Sequence, residues 1–83
     1  LLSNQILSQI KNLSVPAYAL ARCADIQVSS NTVHFIFWAD RHRFHYKQIK
    51  EYQPAIKTAC SRVLNKEISL EFILQSNPHK TEE

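Results

Sequence analysis

Not one glycine occurs among the 83 residues, and there is no methionine. The first absence excludes whole classes of chemistry. Phosphate loops, dinucleotide fingerprints and nucleophile elbows need glycine where the backbone takes a positive φ or closes on a ligand. The second carries the expectation that the chain is a piece of a longer protein whose function it shares. Long apolar runs are also missing. The longest, Phe35 to Ala39, is far short of the ~20 residues a helix needs to cross a bilayer. No basic stretch leads into an apolar one as in a signal peptide, so the expected location is the cytoplasm. Cysteine is scarce. Cys23 and Cys60 fall at helical, mostly apolar positions and read as small buried hydrophobes rather than a disulfide or a metal pair.

What is present fits one small globular domain, with 45% apolar and 20% charged residues. Ser3 stands where it can cap a first helix, with Ile6, Leu7, Ile10 and Lys11 forming its stripe to about Asn12. Ser14 reads as the cap of a second helix that tolerates Pro16 in its first turn. Leu13, Ala17, Leu20, Ala21 and Ala24 share one face of it.

At Ile26 the period changes to two. Ile26 and Val28 alternate with polar residues, Ser30 and Asn31 make a turn, and Thr32 to Trp38 continues as a β-branched and aromatic strand, giving a hairpin. Val33, Phe35 and Phe37 face one way, and His34, Ile36 and Trp38 the other. Asp40 reads as the cap of a long helix to about Leu64, interrupted at Pro54 by a kink or by a break that makes Gln53 a new cap. Ile49, Tyr52, Ile56, Ala59, Cys60 and Val63 hold one apolar face through it, which favours the kink. Asn65 is the left-handed substitute for a C-terminal glycine. Ile68, Leu70, Phe72 and Leu74 then alternate with polar residues and Ile73 as a third strand.

The expectation is an α+β fold of order α-α-β-β-α-β, a single domain over 1–75 with a flexible tail over 76–83. A lone three-stranded sheet must be covered on one face by the helices, and the intervening helix makes the second and third strands parallel.

Candidate chemistry is sparse. Arg41, Arg43, Lys47 and Lys50 place four positive charges in one short segment, with Phe44 and Tyr46 beside them, a combination that can neutralise phosphates and stack bases. The solvated-face alternative is that long basic side chains cover apolar neighbours. The net charge of +3 is modest for a dedicated nucleic-acid binder. Ile36, Trp38 and Ile73 fall on the sheet face away from the core and form a candidate protein contact; the alternative is that another part of the parent protein, or the tail after Leu74, covers them. His42 and His45, with His34, could offer imidazoles to zinc, but no thiol or carboxylate has the spacing to complete a site. Ser61, Glu67 and Glu71 have no recognisable acid or base partner. No catalytic residue, cofactor or metal is expected, and the chain reads as a contact domain rather than an enzyme.

The strand NTVHFIFW, the helix FHYKQIKEYQPAIKTACSRVLNK with Pro54 before the step from Ile56 to Ala59, the strand EISLEFIL, and PAYALARCADIQV feeding the hairpin resemble a known domain. It is the KH-related domain in the C-terminal part of the bacterial DNA polymerase III gamma/tau (clamp-loader) subunit. The N-terminal domain of the bacterial replication initiator has a similar layout. The resemblance covers nearly the whole chain and rests on the pattern of apolar positions. It implies a non-catalytic module downstream of an ATPase, assembling with replisome proteins such as polymerase or helicase subunits, and with no membrane partner. The alternative is a single-stranded nucleic-acid module using Trp38, Arg41, Arg43, Lys47 and Lys50. KH domains that bind nucleic acid clamp its backbone with a Gly-x-x-Gly loop, and a chain without glycine has none to carry over.

Overall fold

The computed structural model describes residues 2–76. The expectation for the tail therefore lies, from residue 77 on, outside the described residues. The elements run α1 (Leu2–Leu13), α2 (Val15–Ala21), β1 (Asp25–Ser29), β2 (Thr32–Trp38), α3 (Ala39–Ile49), a 3-10 turn (Lys50–Tyr52), α4 (Gln53–Leu64) and β3 (Ser69–Gln75). This is the expected α+β order.

Period-two patterning places β2 at the centre of the sheet, in the order β1-β2-β3. β1 pairs antiparallel to it across the hairpin, with Val28 opposite Val33 and Ile26 opposite Phe35. β3 pairs parallel to it, with Leu70, Phe72 and Leu74 opposite Val33, Phe35 and Phe37. All three core-facing residues of β2 are completely buried, each worth about 1.5–3 kcal/mol of burial. Phe35 and Phe72 meet at 5.7 Å between ring centroids, and Tyr46 meets Phe37 edge-on at 6.3 Å. α3 lies on β2 and β3, α2 touches α3, and α1 packs on α2 and α4. Ile6 and Ile10 of α1, Ala17 and Ala21 of α2, and Ile56, Ala59 and Cys60 of α4 close the same core. Ala17 and Ala21 are completely buried on the inner side of α2.

Local chemistry sets the element ends. Ser14 Oγ accepts the Ala17 N–H at 3.3 Å, so this residue caps α2 as expected. Asn65 ends α4 in the left-handed region at φ 58°, ψ 41°. Its N–H and that of Lys66 both reach the Ser61 carbonyl, at 2.7 and 3.3 Å. Ser30 takes the other positive φ, 53°, in the hairpin turn. The chain bends left-handed twice without glycine, using short polar side chains that tolerate it.

Four expected details differ. α1 already runs from Leu2, so Ser3 lies in its first turn and does not cap it. α3 opens at Ala39 behind Trp38, which leaves Asp40 inside the first turn, where its charge suits the positive helix end. The α3 backbone breaks at His42 (φ −130°, ψ 33°), a site with neither Pro nor Gly. At Pro54 the chain breaks rather than kinks: the 3-10 turn intervenes and Tyr52, not Gln53, precedes the new helix. The apolar stripe survives this break because α3 and α4 use it against different neighbours, the sheet and α1.

The left-handed cap gives a direct test. Asn65→Gly is expected to raise stability and Asn65→Val to lower it by about 1–2 kcal/mol, read from urea unfolding midpoints. Equal midpoints for the three proteins would contradict the observed backbone.

Candidate functional site

Helices cover only one side of the sheet. On the other side the register lines up three rows: Asp25, Ile36 and Ile73; Gln27, His34 and Glu71; Ser29, Thr32 and Ser69, with Trp38 beside Gln75 at the end of β2. Asp25, Gln27, Ser29, Ser69, Glu71 and Gln75 are all exposed, as edge positions are when no element lies over them. Among the described residues the central strand is shielded on this side by these neighbours alone.

Within this face the expected contact residues come together. Ile36 and Ile73 are register partners, and Trp38 follows Ile36 on the same side of its strand. The indole N–H of Trp38 donates to Asp25 Oδ2 at 2.9 Å. Asp25 is the partner of Ile36 on β1, so this bond runs diagonally from the end of β2 to the neighbouring strand. Ile36 is only 8% exposed and forms the floor of the patch, whereas the alternation alone placed all three equally outward. Trp38 and Ile73, both half-buried, form its surface. Next along the strand, His34 bridges Glu71 (Nδ1 to Oε1, 3.1 Å) and Ser29 (Nε2 to Oγ, 3.3 Å). The face thus has an apolar floor, a fixed indole and a polar row.

Charge is segregated between the two sides. Among the described residues the outer sheet face carries the carboxylates Asp25 and Glu71 and neither Lys nor Arg. Every described Lys and Arg lies on a helix, at a helix end, in the 3-10 turn or in the loop before β3.

The basic segment forms a second surface. Because Tyr46 and Ile49 turn inward, Arg43, Lys47 and Lys50 follow one another at helical spacing on the outside, all exposed. Arg41, also exposed, sits across the break at His42. Lys50 Nζ rests 3.2 Å from Tyr46 Oη and 4.2 Å from the centre of its ring. Trp38 had been expected to serve this segment too, but its bond to Asp25 holds it on the sheet face. Of the two aromatics expected beside these cations, Phe44 is 66% exposed between Arg43 and Lys47, whereas Tyr46 packs on Phe37. The phase of the helix decides between Phe44 and Tyr46, and the sequence leaves that phase open until the break at His42 is known.

The histidines divide likewise. His42 and His45 stand edge to face, 5.0 Å between ring centres, each with a shielded and unpartnered Nδ1. His34 belongs to the sheet face. Among the described residues no three His, Cys, Asp or Glu side chains gather as metal ligands. Burial, then the neighbouring His45 and Arg41, hold the His42 imidazolium below its ordinary pKa of 6.5, with Asp40 acting the other way. Cys23 and Cys60 are both free thiols. Cys23 is half-buried, its thiol 3.8 Å from the Ala19 carbonyl. Burial pushes Cys60 up to about 12. A groove of about 790 Å³ runs along the exposed side of α4, past Lys57, Ser61, Arg62 and Lys66. Of the cations there, Arg62 in the last turn of α4 and Lys66 just beyond it lie at the negative end of the helix, where they are expected on electrostatic grounds alone.

Two expectations follow from these titrations. Below pH 6.5 the unfolded chain takes up a proton at residue 42 that the folded chain resists, so stability declines with acidity. His42→Gln should lose less stability than the native chain between pH 7.5 and 5.5 in urea titrations; an identical loss would contradict the assignment. With an aromatic disulfide reagent near neutral pH, Cys23 should react first and Cys60 only as the chain unfolds. Two equally fast thiols would place Cys60 outside the core.

Among the described residues no helix is long and apolar enough to cross a membrane. Comparisons of the chain with protein-family models, curated proteins and solved structures find no match.

Proposed function

We propose that this chain is a non-catalytic protein-contact domain of a clamp-loader subunit of the DNA polymerase III gamma/tau kind. It works in the cytoplasm and meets a replisome protein, a polymerase or helicase subunit, through the open side of its sheet. The observation that carries this reading is the uncovered face built on Ile36, Trp38 and Ile73, with its indole fixed in place by Asp25. An aromatic anchor that is already immobilised loses little side-chain entropy on binding, the usual property of an interface hot spot. The order of elements, α-α-β-β-α-β, agrees with the layout that the resemblance implies.

The chemistry of the face selects the partner. Two carboxylates flank an apolar centre with no cation on the same side, so the fitting surface is apolar at its middle and basic at its rim. The module itself would perform no reaction. Its part is to hold the partner near the enzyme to which it is joined, raising the partner's effective concentration there.

Trp38→Ala is expected to weaken association with the cognate polymerase or helicase subunit by about 30-fold or more, corresponding to the ~2 kcal/mol of a hot spot. Surface plasmon resonance would measure it, with circular dichroism confirming the fold. Ile73→Asp, at the edge of the same patch, should act in the same direction. Unchanged affinity in both variants would remove the sheet face from the contact.

A further inference from the structure

We propose a second binding surface on the opposite side of the molecule: the outer stripe of α3, which takes single-stranded nucleic acid. It is independent of the protein contact assigned to the sheet. Three observations converge on it. Arg43, Lys47 and Lys50 lie at helical spacing, and none of them makes an ion pair with a described residue. Phe44 stands between the first two with 66% of its surface exposed. The segregation of charge leaves the nearest aromatic of the sheet, Trp38, bonded to a carboxylate on a face without cations.

Each feature by itself has a simpler explanation, since surface lysines are ordinary and single exposed apolar residues are common. Their combination is more selective. The cations can replace the counterions of successive phosphates, and a phenyl ring held among them offers a platform on which any base can stack. Only one ring is presented, and nothing beside it is arranged to read a base edge. The surface therefore suits single strands without sequence preference. An acidic polypeptide could satisfy the cations equally well but would give the ring no stacking partner, and on this point the two ligands are distinguishable. The helix geometry also imposes a cost. The regular part of α3 begins after His42, so Arg43 sits against the positive helix end, where a cation is disfavoured. A phosphate at that place relieves the repulsion.

The test uses the 83-residue chain and a labelled oligothymidylate, followed by fluorescence anisotropy over a range of salt concentrations. Log affinity should fall against log salt with a slope between about −2 and −3, from −0.7 per neutralised phosphate. Arg43→Gln with Lys47→Gln should make the slope shallower by about 1.4, whereas Lys57→Gln with Arg62→Gln, an equal loss of charge on α4, should leave it unchanged. Phe44→Ala and Phe44→Leu should each weaken binding about tenfold, and Phe44→Trp should retain it, since stacking needs a ring and not merely an apolar side chain. Four results would overturn the proposal: no binding at 20 mM salt, native affinity in both ring-less variants, an equal slope change in the α4 pair, or competition by polyglutamate as effective as that by unlabelled oligonucleotide. The last would reassign the stripe to an acidic protein.

Discussion

The burial of the central strand governs this molecule. β2 turns Val33, Phe35 and Phe37 into the helices, and among the described residues no element lies over its opposite side. The antiparallel hairpin and the parallel return of β3 both exist to flank that strand. The positions of the indole, the two isoleucines and the carboxylates follow from its register. A slip of one residue would exchange the faces and put His34 and Trp38 under the helices.

That constraint also separates the electrostatics. Residues facing outward from the sheet are, His34 aside, neutral or acidic, and the described Lys and Arg side chains belong to the helices and their ends. The two candidate surfaces consequently differ in sign and in aromatic chemistry. A fixed indole over aliphatic side chains suits a shaped protein surface, whereas an exposed phenyl ring among cations suits a flexible polyanion. One small domain can hold both because the strand that ends at Trp38 leads directly into the helix that carries Phe44.

Much of this was legible in the sequence because the signals were local. Period-two residues announced the hairpin and β3. Ser14 and Asn65 marked helix ends by their own backbone chemistry, and the helical connection implied that β2 and β3 run parallel. The shared outer face of Ile36, Trp38 and Ile73 was readable from alternation. What could not be read depended on distant partners or on helical phase. Trp38 and Asp25 are thirteen positions apart, and no periodicity predicts the bond that detaches the indole from the basic segment. The break at His42 lacks a proline or glycine to announce it. It lies where the chain leaves the end of the sheet, and after it Phe44 is exposed while Tyr46 packs on Phe37.

The two left-handed residues share a further property. Lys66, immediately after Asn65, extends its Nζ to the carbonyl of Ser30 at 3.0 Å, and the Ser69 N–H reaches the carbonyl of Asn31 at 2.7 Å. The hairpin tip and the entry to β3 are thereby laced together at one pole, with Trp38 and the start of α3 at the other. Hydrogen exchange at this pole should report a single opening event, since neither loop can lift without releasing its neighbour. Among the described residues both left-handed positions, Ser30 and Asn65, belong to this pole, at the far end of β2 from Trp38.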